Sequence, residues 1–111
     1  MPSTESGLVK GMLKILRGAG AHVDKTHGDP RTLKGKSDLT GCYKSQYFAV
    51  EAKQPGKEHT LTELQEAYLR SVQKAGGIGI VATNYDEIRR LIKVMDRRAR
   101  VKVRHRRRQE G

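Results

Sequence analysis

A single cysteine, Cys42, is all the thiol chemistry this chain has. It cannot close an internal disulfide, and it rules out a cysteine-rich zinc site. A lone thiol fits a reducing cytoplasm. Tryptophan is absent and phenylalanine occurs once, which counts against binding single strands by stacking bases on aromatic faces. No apolar run approaches the length of a bilayer-spanning helix. The N-terminus lacks the charged-then-apolar pattern of a secretory signal. His22, His27, His59 and His105 form no cluster, and no serine or cysteine nucleophile stands with a base. "GGIGI" lacks the lysine–serine ending of a phosphate loop and precedes a strand rather than a helix. The expectation is a cytoplasmic protein with no membrane partner. Its 111 residues allow one domain with one modest core.

What is abundant is positive charge. The formal net charge is +11 and the pI about 10.2. Its distribution is uneven. Residues 97–111 carry eight basic side chains (Arg97, Arg98, Arg100, Lys102, Arg104, Arg106, Arg107 and Arg108) and one acid, Glu110, a net +7. The other residues carry 15 basic and 11 acidic groups, a net +4. The reading is a mildly basic domain over 1–96 with a basic tail over 97–111. Nucleic acid is the polyanion this balance favours. A solubility tail or an anionic-membrane patch is the plainer explanation.

Apolar periodicity and capping residues lay out the elements. "STESGLVKGMLKILRGAG" reads as a helix with Leu8, Met12, Ile15 and Leu16 as its apolar stripe, capped by Ser3 or Thr4 and ended by Gly18 and Gly20. "AHVDKT" reads as a strand and "HGDPRTLKGK" as a loop. "SDLTGCY" and "QYFAVEAK" are strand-like runs separated by Lys44-Ser45. "TLTELQEAYLRSVQKAGG" reads as a helix with Thr60 and Glu63 as its capping box and Gly76-Gly77 as its stop. "IGIVAT" reads as a short buried strand. "NYDEIRRLIKVMDRRAR" reads as a helix capped by Asn84 and Glu87, with Ile88, Leu91, Ile92 and Met95 as its stripe. The order α-β-β-β-α-β-α predicts an α/β sandwich around one mixed sheet.

Chemistry concentrates in the hairpin. Glu51 and Lys53 lie two apart in "FAVEAKQ", so they share a strand face. If Lys44 and Ser45 form a two-residue turn, Tyr43 pairs with Gln46 and Asp38 falls opposite Glu51. A slip of one residue would undo this. Two carboxylates this close repel unless positive charge stands between them. Lys53 supplies one charge, and a divalent metal would supply two. Carboxylates plus water are the ligand set of Mg²⁺. A metal beside a lysine on a basic protein outlines a phosphodiester-cleaving site. The bland alternative is a salt bridge of Lys53 with Glu51 or Asp38 at a sheet edge. Gln65 falls in the apolar stripe of Leu61, Leu64, Tyr68, Leu69 and Val72. It would reach the site, or complete a capping box with Thr62. Glu5 suits a first helical turn through the helix dipole and also stands at the N-terminal end of its buried stripe. Tyr68 reads as core, and Tyr47, on the face of Glu51, as packing beneath the site.

"GKSDLTG", "FAVEAKQ" and "LQEAYLRSVQKAGGIGIVAT" resemble the PD-(D/E)XK nuclease superfamily. Within it they most resemble the VRR-NUC family, whose small stand-alone members occur in bacteriophages. The resemblance runs from about Glu5 to Ile92 and leaves out the basic tail. It implies a restriction-endonuclease-like domain. It implies Asp38, Glu51, Lys53 and Gln65 as catalytic residues. It implies Asp38, Glu51, Glu5 and the backbone carbonyl of Ala52 as ligands of Mg²⁺ or Mn²⁺. Ser37 departs from the pattern, standing where the superfamily name has proline, a position that shapes backbone. The family's small members are similar to Holliday-junction resolvases. The function implied is therefore a metal-dependent DNA endonuclease acting on four-way junctions as a homodimer, in a bacterial host's cytoplasm if phage-encoded. Lys25, Arg31, Lys34 and Lys36 in the early loop, with the tail, are the candidate phosphate contacts. Two alternatives stand beside it. One is a nuclease for linear, flap or single-stranded DNA. The other is a non-catalytic DNA-binding module on a degenerate nuclease fold.

Overall fold

A computed structural model describes residues 4–26 and 34–110, with side chains through Arg104. Ser3, His27, Arg31 and the side chains of His105, Arg106, Arg107 and Arg108 lie outside the described parts. Helix α1 is Glu5–Gly18, followed by strands β1 His22–Lys25, β2 Leu39–Tyr43 and β3 Gln46–Ala52. A 3₁₀ turn, Glu58–Thr60, leads into helix α2 Glu63–Lys74, strand β4 Ile78–Ala82 and helix α3 Tyr85–Glu110. The sheet runs β1-β2-β3-β4, with β1, β2 and β3 antiparallel and β4 parallel to β3. The fold is the mixed α/β sandwich that the element order predicts.

The hairpin register follows from its turn. Lys44 and Ser45 both have positive φ, 48° and 65°, the left-handed pair of a type I′ turn, whose twist matches that of the strands. Tyr43 pairs with Gln46, and the ladder continues to Leu39 opposite Val50. One step further would set Asp38 against Glu51. Alternation along β3 then divides its side chains. Phe48, Val50 and Ala52 join the main core with Leu8, Met12 and Leu16 of α1 and Ile88, Leu91 and Met95 of α3. Ala49 packs on the opposite face with Leu69 and Val72 of α2. Two helices thus cover one face and one helix the other.

Four local expectations need correction. The capping box of α2 is Thr62 with Gln65, not Thr60 with Glu63. Thr60 belongs to the preceding 3₁₀ turn, where its hydroxyl donates to the Lys57 carbonyl at 2.6 Å, so the helix starts later. Leu64 is 57% exposed rather than part of the apolar stripe, because it sits in that first turn, above Gly35. "IGIVAT" is not fully buried. Ile78, Ile80 and Val81 are only partly covered, since β4 ends the sheet. Helix α3 also runs past Arg100 to Glu110. No helix among the described residues is long and apolar enough to cross a membrane.

A non-glycine residue in the left-handed region carries steric cost at Cβ. Ser45→Gly should therefore raise the unfolding free energy by roughly 0.5–1 kcal/mol, read from urea denaturation. A decrease would mean that Ser45 makes a contact that outweighs its backbone cost.

Candidate functional site

β3 and β4 run parallel and end together, at Ala52 and Ala82. The pairing extends one step, with the Lys53 N–H donating to the Ala82 carbonyl at 3.0 Å. Three chain segments bring acids to this end of the sheet. Glu51 lies in the last turn of the pleat on β3. Asp38 lies just before β2, placed by the hairpin register. Glu5 opens α1, whose N-cap is Thr4, its hydroxyl accepting the Gly7 N–H at 3.0 Å. One carboxylate oxygen from each of the three lies within 4.8 Å of the others.

Two of the three acids are held by a defined partner, Asp38 by Ala52 and Glu51 by Gln65. The Ala52 N–H donates to Asp38 Oδ2 at 2.8 Å, so Asp38 is keyed to the main chain of β3 through its side chain. In an extended strand the N–H and C=O of one residue point the same way. The Ala52 carbonyl therefore also faces the Asp38 side. Gln65 does both things proposed for it. Its Oε1 accepts the Thr62 N–H at 2.9 Å while its own N–H donates to Thr62 Oγ1 at 3.1 Å. Its Nε2 donates to Glu51 Oε1 at 3.1 Å. The helix cap thus aims an amide at the carboxylate. Gly35 allows this approach. It sits at φ +85°, and a Cβ there would stand 2.7 Å from the Leu64 backbone. The segment leading to Asp38 can therefore lie directly on the first turn of α2. Ser37 is fully buried in that segment. Its carbonyl accepts the Thr26 hydroxyl, and its own Oγ has no partner among the described residues.

The salt-bridge alternative fits this geometry poorly. β3 is an interior strand, and Lys53 and Glu51 are 8% and 3% exposed. Lys53 Nζ stands 4.0 Å from Glu51 Oε1, beyond hydrogen-bond reach. Glu51 Oε2 is buried with no partner among the described residues. A buried carboxylate oxygen left without a donor is costly. Burial is the main reason that Glu51's pKa is pushed up to about 8, and the Asp38 carboxylate adds to it, against a smaller opposing pull from Lys53. The donor set brought together is three carboxylates, all hard oxygen ligands. The orphaned oxygen and this chemistry fit Mg²⁺ or Mn²⁺.

The remaining candidates are spread over the surface. Lys25 ends β1, and Lys34 and Lys36 precede Asp38 on the same end of the sheet. Arg97, Arg98, Arg100, Lys102 and Arg104 are exposed on α3. Tyr47 is 43% exposed rather than buried beneath the site, and its hydroxyl meets that of Tyr68 at 3.1 Å. Burial, with the Tyr47 hydroxyl, pushes the Tyr68 phenol up to about 12, too high for a base. Asp96 escapes sequence reasoning altogether. It accepts from Tyr43 Oη and Lys44 Nζ, both at 2.7 Å, and no local pattern joins residues 52 positions apart. Comparison with protein-family models and with curated proteins gives no match.

The titration of Glu51 has a readable sign. Folded, it holds its proton up to about pH 8, whereas the unfolded chain loses it near 4.5. Raising pH through that window therefore favours the unfolded state, and metal-free stability falls. Glu51→Gln should remove this loss and raise Tm at pH 8 in EDTA, by roughly 4–8 °C per kcal/mol recovered. Parallel pH–Tm curves for the two proteins would contradict the burial argument.

Proposed function

We propose that the protein is a metal-dependent DNA endonuclease that hydrolyses phosphodiester bonds in branched DNA, four-way junctions first, and works as a homodimer in the cytoplasm, a bacterial host's if it is phage-encoded. The observation that carries this reading is the buried Glu51 Oε2, without a partner among the described residues and set among the carboxylates of Glu5 and Asp38 beside Lys53. The resemblance to the VRR-NUC family supports it from the sequence side, since the same residues carry that pattern. So does the net charge of +11, which suits a phosphate-backbone ligand.

Glu5, Asp38, Glu51 and the Ala52 carbonyl are the residues that would hold the cation. A bound Mg²⁺ or Mn²⁺ supplies Lewis acidity toward a phosphate oxygen and lowers the pKa of water. The protein's own groups do the rest. Lys53, nearly enclosed, sets its Nζ at the rim of the carboxylates, where it would stabilise charge developing on the phosphate. Gln65 holds Glu51 Oε1 in one orientation. The Ala52 N–H does the same for Asp38. Lys25, Lys34 and Lys36 border the same end and position the backbone without reading sequence. A homodimer would offer two such sites to the two symmetric strands of a junction.

The direct test is cleavage of a synthetic four-way junction beside linear duplex and single-strand controls, with Mg²⁺, Mn²⁺ or EDTA. Paired nicks in the junction alone, dependent on metal, are expected. Cleavage of all three would keep the nuclease and remove the junction preference. Binding without cleavage in any metal would make the protein a DNA-binding module. Asp38→Ala and Glu51→Ala should each lower cleavage by about a hundredfold or more while DNA binding persists. Lys53→Ala should lose cleavage yet keep the Mg²⁺-induced rise in Tm that a bound metal gives. Wild-type rates in either carboxylate variant would sink the site assignment.

A further inference from the structure

The basic residues after Asp96 continue helix α3 to Glu110 rather than trailing from the domain. Their starting point is fixed. Gln46 Nε2 donates to the Met95 carbonyl at 2.7 Å in a buried contact, and Asp96 is clamped by Tyr43 and Lys44. These anchors sit at the hairpin turn. Glu51 and Lys53 sit at the other end of β3. The seven residues of β3 and its flanks separate the two by about 25 Å at strand rise. The 14 residues from Arg97 to Glu110 then add about 20 Å of helix. The molecule is accordingly long in one direction, 51 Å against 27 and 24 Å.

Chemistry at the start of this arm suits phosphate. Lys44, Arg100 and Arg104 border one groove of about 380 Å³ with Asp96, whose carboxylate already receives Lys44 and Tyr43. A membrane surface is a poorer match. The exposed apolar side chains of the arm, Val101 and Val103, are two residues apart and so point to nearly opposite sides of the helix. An interfacial helix needs them on one face.

We infer that the C-terminal half of α3 is an arm that grips the phosphate backbone of a DNA duplex about 25–45 Å from the carboxylate cluster. The duplex then runs along the long axis of the protein, with about 7–13 base pairs between its two contacts. The assignment of the far contact as the cutting site rests on the nuclease reading. The arm's grip on duplex does not.

The test uses the full chain in EDTA, with blunt duplexes from about 6 to about 18 base pairs. Wild-type affinity should step up between about 7 and 13 base pairs by more than the added binding positions explain. The triple variant Arg97→Gln, Arg100→Gln, Arg104→Gln should lack that step and bind the longest duplex about tenfold or more weakly. Its log K against log salt should be shallower by about 2–3. Glutamine preserves helix propensity, and far-UV circular dichroism confirms that the arm remains helical. No step in the wild type, or a step that persists in the triple variant, overturns the inference. So does wild-type binding to anionic phospholipid vesicles in preference to duplex. Cleavage in Mg²⁺ is scored separately. A protein that shows the step but cuts nothing fails as a nuclease and keeps its arm. A protein that cuts but shows no step keeps its site and loses the arm.

Discussion

The two-residue turn at Lys44-Ser45 is the constraint on which the rest of the molecule depends. A left-handed pair at this turn commits β2 and β3 to one register, and strand geometry carries that register seven residues along to the far end. Only in that register does Asp38 reach the Ala52 N–H and approach Glu51. One residue of slippage would set Leu39 and Val50 on opposite faces of the sheet and part Asp38 from Glu51 in the same way. Hydrophobic burial and the carboxylate site therefore demand the same register. The turn also holds the other end of the protein, since Lys44 and its neighbours Tyr43 and Gln46 receive α3 at Met95 and Asp96.

The site opposes this stabilising framework. Enclosing Glu51 removes water from a carboxylate and places a second acid beside it. The surroundings compensate in part: an amide from Gln65, a backbone N–H for Asp38, and a lysine at the limit of ion-pair distance. One oxygen of Glu51 still has no partner among the described residues. Elements that stabilise the fold leave a local deficit of positive charge around these acids.

Positive charge is instead plentiful elsewhere. The acids gather at one end of the sheet, and the densest run of arginines begins at the other. Both ends are tied to β3, which spans the distance between them as a rigid interior strand. A partner long enough to meet both ends must itself be extended; on the proposed reading it meets chemistry at the acids and grip at the arginines.

The element order, the apolar stripes of α1 and α3, the hairpin register and the Asn84–Glu87 cap were all legible in the sequence, because each rests on local periodicity or on residues a few positions apart. The Thr62–Gln65 cap was legible only as an alternative, since Thr60–Glu63 satisfies the same spacing and the choice depends on a 3₁₀ turn that spacing does not encode. The exposure of Leu64 and the open flank of β4 depended on which elements neighbour which, a question of packing. Register, the Asn84–Glu87 cap and charge are near-neighbour properties, and the sequence by itself determined them. The meeting of Glu5 with Asp38 and Glu51, the second hydrogen bond of Gln65, and the clamp on Asp96 were decided only by the tertiary structure. They join segments distant in the chain, and nothing short of the packed sheet and helices brings such segments together.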